Sequence, residues 1–99
     1  MLLSNWRCRL GEIDLICSQG DALVFVEVKC RLASKLAARH LLDSVSSRKQ
    51  RKLRLLAECF MARHYWCKKY KEIRIDVIGV LIHAETFQIV RLEHLRAAV

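Results

Sequence analysis

Apolar residues change their spacing twice along the chain, and each change marks a different kind of element. Residues 6–10 alternate weakly between apolar and polar and residues 12–18 alternate well. Residues 22–29 are dense in Val and Phe, with Gln19-Gly20-Asp21 separating the last two runs. This pattern predicts a β-meander. From Ser46 to about Tyr65 the period lengthens: Leu53, Leu56, Ala57, Phe60 and His64 recur at i, i+3, i+4, i+7 and i+11, the stripe of an amphipathic helix that Ser46 is placed to N-cap. Residues 73–82 are apolar on both faces, as in a central strand, and residues 86–92 predict a further strand, with His83-Ala84-Glu85 as the turn. Between meander and helix, residues 32–42 could hold a short helix, although Ser, Arg and His interrupt the pattern. The expected architecture is α/β: a mixed sheet with an antiparallel meander, then a long amphipathic helix, then further strands. One helix covers only one face of a sheet, so the other needs residues 32–42 or a partner.

The chain has 99 residues, no proline, no Gly/Ser linker and no internal repeat, which predicts one domain. A hydrophobic share of 54% argues for a packed core. The formal charge of +8 favours a polyanionic partner or serves solubility alone, so the placement of the charges has to decide. The five cysteines are odd in number and form no C-x-x-C pair, which disfavours zinc and disulfide frameworks and predicts reduced thiols. Polar Ser4 and Asn5 end the first apolar residues at once, and no apolar run reaches membrane-spanning length, so the expected compartment is the cytoplasm.

The most informative stretch is Gly11-Glu12-Ile13-Asp14-Leu15-Ile16, a turn, and Val24-Phe25-Val26-Glu27-Val28-Lys29. A two-residue type II′ turn at Gly20-Asp21, which wants glycine first, sets a register with Asp14 opposite Glu27 and Glu12 opposite Lys29. Alternation then puts all four side chains on one face. Directly opposed residues have Cβ atoms roughly 4.5–5.5 Å apart, and two like charges there destabilise a sheet unless something offsets them. A divalent cation does so, since Mg²⁺ takes one or two carboxylates and keeps waters that substrate phosphates displace. In the competing reading Glu12 pairs with Lys29, one of Asp14 and Glu27 is exposed, and the other caps a backbone donor.

At these residues the chain resembles the YraN family of predicted bacterial endonucleases, related in fold to archaeal Holliday-junction resolvases and restriction enzymes. Asn5-Trp6-Arg7-Cys8-Arg9, the two hairpin strands, Ser44-Val45, Arg48-Lys49-Gln50 and Ile75-Asp76-Val77 carry the resemblance, which spans most of the chain. It implies a restriction-endonuclease-like PD-(D/E)XK core with Asp14 as first acid, Glu27 as second and Lys29 as terminal lysine. Hydrolysis of phosphodiester bonds of nucleic acid follows, with DNA the expected polymer and structure selectivity compatible. Asp14 and Glu27 would hold Mg²⁺ or Mn²⁺, and Lys29 would orient the attacking water or stabilise developing charge. Two departures stand out. The helix carrying a glutamate that usually precedes the Asn-Trp-Arg strand is expected to be missing, so the domain reads as N-terminally short. The segment after Lys29 replaces a more polar, glycine-containing one.

Arg48, Lys49, Arg51, Lys52 and Arg54 crowd the first turns of the amphipathic helix, where cations oppose the macrodipole, so a phosphate-binding role is favoured over a solvated face. Gln50 lies at the end of the core-facing stripe, where it could reach the site or be satisfied by backbone. Arg74 and Asp76, two apart on an apolar strand, predict a structural ion pair. His40, His64, His83 and His94 show no ligand spacing, and His64 reads as a core-edge residue. Trp6, Tyr65 and Trp66 could stack on bases but at element ends are more often packing residues. A binding module that has lost catalysis, a truncated remnant needing a partner, and a homodimer are compatible alternatives.

Overall fold

A computed structural model describes residues 1–39, 41 and 45–99. Strands β1 (Leu3–Cys8), β2 (Gly11–Gln19) and β3 (Ala22–Leu32) form the expected meander. They are followed by a short helix α1 (Lys35–Arg39), the long helix α2 (Ser47–Arg63), a 3₁₀ turn (Tyr65–Lys69), and strands β4 (Glu72–Ile82) and β5 (Ile89–Leu95). The five strands make one mixed sheet in sequence order. β3 and β4 run parallel and the other pairs antiparallel. A parallel pair needs a long crossover, and α2 supplies it. This is the mixed α/β architecture expected of the restriction-endonuclease-like core.

The type II′ expectation is met at the first hairpin: Gly20 has φ +57°, Asp21 does not share it, and the ladder runs from Gln19–Ala22 to Leu15–Val26. Ser46 caps α2, its hydroxyl accepting the Lys49 N–H at 3.2 Å. The helix buries Leu53, Leu56, Ala57 and Phe60 against Ile13, Ile16, Leu23, Phe25 and Ile75. Phe60 is fully enclosed, edge-on to Trp6 and Phe25 and stacked on His64 at 4.0 Å, while His64 Nδ1 lies 2.8 Å from the Phe60 carbonyl. Trp6 and His64 are therefore packing residues.

β3 runs on to Leu32, past the expected residue 29, and three other elements differ from the sequence expectation for a local reason. β1 begins at Leu3, with the Leu2 N–H already donating to Ile16, and ends at Cys8, before the turn that enters Gly11. α2 stops at Arg63, and the chain tightens into the 3₁₀ turn. β5 begins only at Ile89, because the His83 ring accepts the Glu85 and Thr86 N–H groups and widens the turn to Phe87, which has φ +57°. Among the described residues of 32–42, helix forms over α1; the preceding Ser34 side chain accepts the Ala37 N–H, and α1 buries none of its residues. His40, Leu42 and Ser44 lie outside the described residues.

Leu41, the described residue that follows α1, packs on the α2 side of the sheet and not on its far face. Leu41 is buried over Gly79, so close that a Cβ on Gly79 would stand 2.5 Å from Leu41 Cγ. Gly79 shares a face with Ile75, on the α2 side. The opposite face carries a smaller cluster of Ala22, Val24 and Val26. Beside it in register lie Arg74 and Asp76, the predicted pair, joined at 2.9 Å. Asp76, 1% exposed, also takes His94 Nε2 at 2.7 Å and the Ala97 N–H at 2.9 Å, and Arg74 reaches Gln19 at 2.8 Å. Burial alone would raise the Asp76 carboxyl, but the hydrogen bonds from Arg74, Ala97 and His94, with the Arg74 charge, hold it below the usual carboxylate range.

Two outcomes follow. Gly79→Ala must push Leu41 aside and should cost about 1–3 kcal/mol, read as a lowered urea midpoint. Because the folded pKa of Asp76 lies below its unfolded value of about 3.9, its contribution is complete above that pH and is lost as the pH falls through the folded value. Urea titrations from pH 5 downward should show stability declining below about pH 4. The decline should be shallower in Asp76→Asn, which starts from a lower plateau.

Candidate active site

Asp14 sits where β2 leaves its partner. The β2–β3 ladder ends at Leu15–Val26, and one step further Asp14 Oδ2 accepts the Val28 N–H at 2.7 Å. On the other side of β2 the pairing skips the same position, passing from Ser4–Leu15 to Trp6–Ile13, and Asn5 takes φ +53°. Ile13 and Ile16, three residues apart, consequently enter one core cluster, which strict alternation forbids. One alternation is thus lost across Asp14, although the β1–β2 register keeps the same offset on both sides of it.

The expected register holds from Gln19–Ala22 to Leu15–Val26, but the ladder stops one step short of the two acids. Asp14 and Glu27 are not paired across a continuous ladder. Glu12 does not pair with Lys29 but with Arg7 on β1, whose guanidinium lies 3.2 Å from its carboxylate. Part of the competing reading is thus realised, since Asp14 caps a backbone donor. The two acids still converge: Glu12, Asp14 and Glu27 line one cavity of about 220 Å³, closed from above by Lys49, Lys52, Leu53 and Leu56 of α2. Lys29 lines an adjoining cavity of about 130 Å³ with Glu27, Arg31 and Lys49.

The helix reaches into the site through Lys49, whose ammonium lies 2.9 Å from the Glu27 carboxylate, a group only 18% exposed. Lys52 is aimed at the same cavity over Gly11, where a Cβ would meet its Cε at 3.1 Å. The Lys49–Glu27 contact was not foreseen, yet a signal existed. Residues 49, 52, 53 and 56 follow i, i+3, i+4, i+7, so both lysines extend the buried stripe toward the sheet. Arg48 and Arg51 point to solvent. Gln50 turns back to the Val45 carbonyl at 3.0 Å, the backbone-satisfied alternative.

The donor set suits a hard cation in part. Two carboxylates from neighbouring strands face one cavity, and each has lone pairs beyond the single bond described for it. Among the described residues no three Asp, Glu, His or Cys side chains group closely enough to hold an ion by themselves. An ion held here would therefore be a two-carboxylate Mg²⁺ or Mn²⁺, completed by water and substrate oxygens.

The model of the family described as "Uncharacterised protein family UPF0102" matches residues 1–80. A UPF0102 protein of Beutenbergia cavernae is 45% identical over 92 residues, covering 93% of this chain and 73% of the relative. One of Streptomyces griseus is 45% identical over 79% of this chain and 63% of the relative. One of Pelotomaculum thermopropionicum is 41% identical over 99% and 78%. Among the described residues no helix is long and apolar enough to cross a membrane.

The Asp14 hydrogen bond separates two substitutions. Asp14→Asn keeps a carbonyl oxygen for the Val28 N–H and should leave the melting temperature nearly unchanged. Asp14→Ala orphans that donor and should cost about 1–3 kcal/mol, with faster exchange of the Val28 amide.

Proposed function

The chain belongs to the UPF0102 family, and we propose that it is a metal-dependent nuclease hydrolysing phosphodiester bonds of nucleic acid, most readily DNA. The observation that supports this best is the shared cavity, in which acids from two strands meet two lysines delivered by one helix. Asp14 and Glu27 would hold Mg²⁺ or Mn²⁺. When bound, such an ion supplies charge neutralisation of the phosphate and acidification of a water.

The chain's own residues do the rest. Lys49, whose ammonium lies beside Glu27, and Lys52 would face the phosphate oxygens of a strand bound at this cavity. Arg48 and Arg51, on the solvent side of the same turns, take flanking phosphates, and α2 presents its free N–H groups nearby. Lys29, one alternation beyond Glu27 on β3, holds the attacking water or the charge that develops on phosphorus oxygens. Gln50, committed to Val45, fixes the start of the helix. One observation favours a second reading, a binding module without catalysis: Lys49 already neutralises Glu27, so the site is electrostatically satisfied without an ion.

Melts and cleavage assays at fixed ionic strength separate the two. In the nuclease reading Mg²⁺ raises the stability of the parent protein, by about 2.7 kcal/mol at a hundredfold excess over Kd. It should also support cleavage of labelled DNA that chelator stops. Asp14→Asn and Glu27→Gln should abolish both effects while preserving the fold. A melting point indifferent to Mg²⁺ and intact DNA, with binding retained, would establish the binding module instead.

A further inference from the structure

Tyr65 and Trp66 were expected to be packing residues, and for Tyr65 the structure says otherwise. Tyr65 is 81% exposed and Trp66 37% exposed, although the Trp66 ring is edge-on to Phe60. Trp66 also lines an open cavity of about 440 Å³ with Leu2, Leu3, His64, Lys69 and Tyr70. Lysines attend the rings: Lys68 Nζ lies 5.1 Å from the Tyr65 centroid and Lys69 Nζ 5.3 Å from that of Tyr70. An exposed cation over an aromatic face is a weakly held arrangement. A nucleic-acid strand can replace it twice over, with a base for the ring and a phosphate for the ammonium.

We infer that the 3₁₀ turn and its cavity are a docking surface for unpaired bases, so that the nucleic acid this protein takes carries a single-stranded arm. Alternating aromatics and lysines suit a single strand rather than a duplex, whose bases are already stacked and whose backbone asks only for charge. Position supports the assignment. α2 lines the acidic cavity through Lys49 and Lys52 and the aromatic cavity through its C-cap His64, so one helix spans both. From Lys52 to His64 the helix rises about 18 Å. A stacked strand at 3.4 Å per nucleotide covers that in about five nucleotides. The inference rests on the nucleic-acid reading of the site but adds which strand geometry is bound.

The test compares an oligothymidylate of about 15 nucleotides, an abasic strand with the same phosphate count, and a duplex of that length, by fluorescence anisotropy at fixed ionic strength. The oligothymidylate should bind about tenfold more tightly than the abasic strand. Tyr65→Ala and Trp66→Ala should each remove most of that difference without changing abasic affinity, and Tyr65→Phe should retain it. Should Trp66→Ala fail to fold through its contact with Phe60, the exposed Tyr65 decides alone. Equal affinity for the two strands, or variants that weaken both alike, would overturn the docking surface while leaving a charge-driven nuclease intact. Absence of binding to all three would overturn both.

Discussion

The hydrogen bond between the Val28 N–H and Asp14 Oδ2 is the constraint around which the site is arranged. Had the β2–β3 ladder continued, Asp14 and Glu27 would stand directly opposed, two like charges at the closest spacing a sheet offers. Instead a side-chain oxygen replaces a backbone acceptor, the strands part, and each acid acquires its own partner: a backbone amide for Asp14 and the Lys49 ammonium for Glu27. The same event turns Ile13 inward beside Ile16 and sets Glu12 against Arg7. The break in the ladder thus makes the cavity, separates the charges and extends the core.

The helix that roofs this cavity is costly in its local electrostatics and is retained by packing. Cations in the first turn oppose the macrodipole at typically 0.3–1 kcal/mol each when exposed. Only Lys49, through Glu27, finds a described acidic partner among those in the first turns. Against that stands Phe60, enclosed by Trp6, Phe25, His64 and Trp66 at the other end of the same helix. Burying a ring of this kind is worth roughly 1.5–3 kcal/mol, before its aromatic contacts are counted. The basic N-terminal end of α2 is thus held in place by the aromatic cluster around Phe60 at its other end.

Period and turn chemistry made most of this legible in advance. Gly20 marked the hairpin, the 3.6-residue recurrence of Leu53, Leu56, Ala57 and Phe60 marked the helix face, and Arg74 with Asp76 marked a buried pair. What could not be read was any feature set by a side chain competing with the backbone. Asp14 ends a ladder that residue alternation says should continue, and His83 widens a turn by taking two N–H groups. His94 was similarly hidden, because its link to Asp76 crosses from β5 to β4 and no spacing within one element announces it. Leu41 closes over Gly79 on the face already covered by α2, an outcome that depends on a missing Cβ rather than on any hydrophobic pattern.

The two acids are held with unequal firmness, and that inequality matters for what the site can accommodate. Glu27 and Lys29 ride on β3, which is paired with β4 along its full length, from Ala22–Glu72 to Leu32–Ile82. Beside that pair the Arg74–Asp76–His94 network ties β4 to β5 and to the C-terminal turn. Asp14 rides on β2 at a position that the ladders skip on both sides, and the one hydrogen bond described for its carboxylate is that from the Val28 N–H. A ligand that draws the Asp14 carboxylate toward Glu27 must loosen or share that bond, whereas Glu27 has only to exchange one cation for another. Adjustment on ligand binding should therefore concentrate in the β1–β2 hairpin around Asn5 and Asp14, with β3 and β4 as the fixed reference against which it moves.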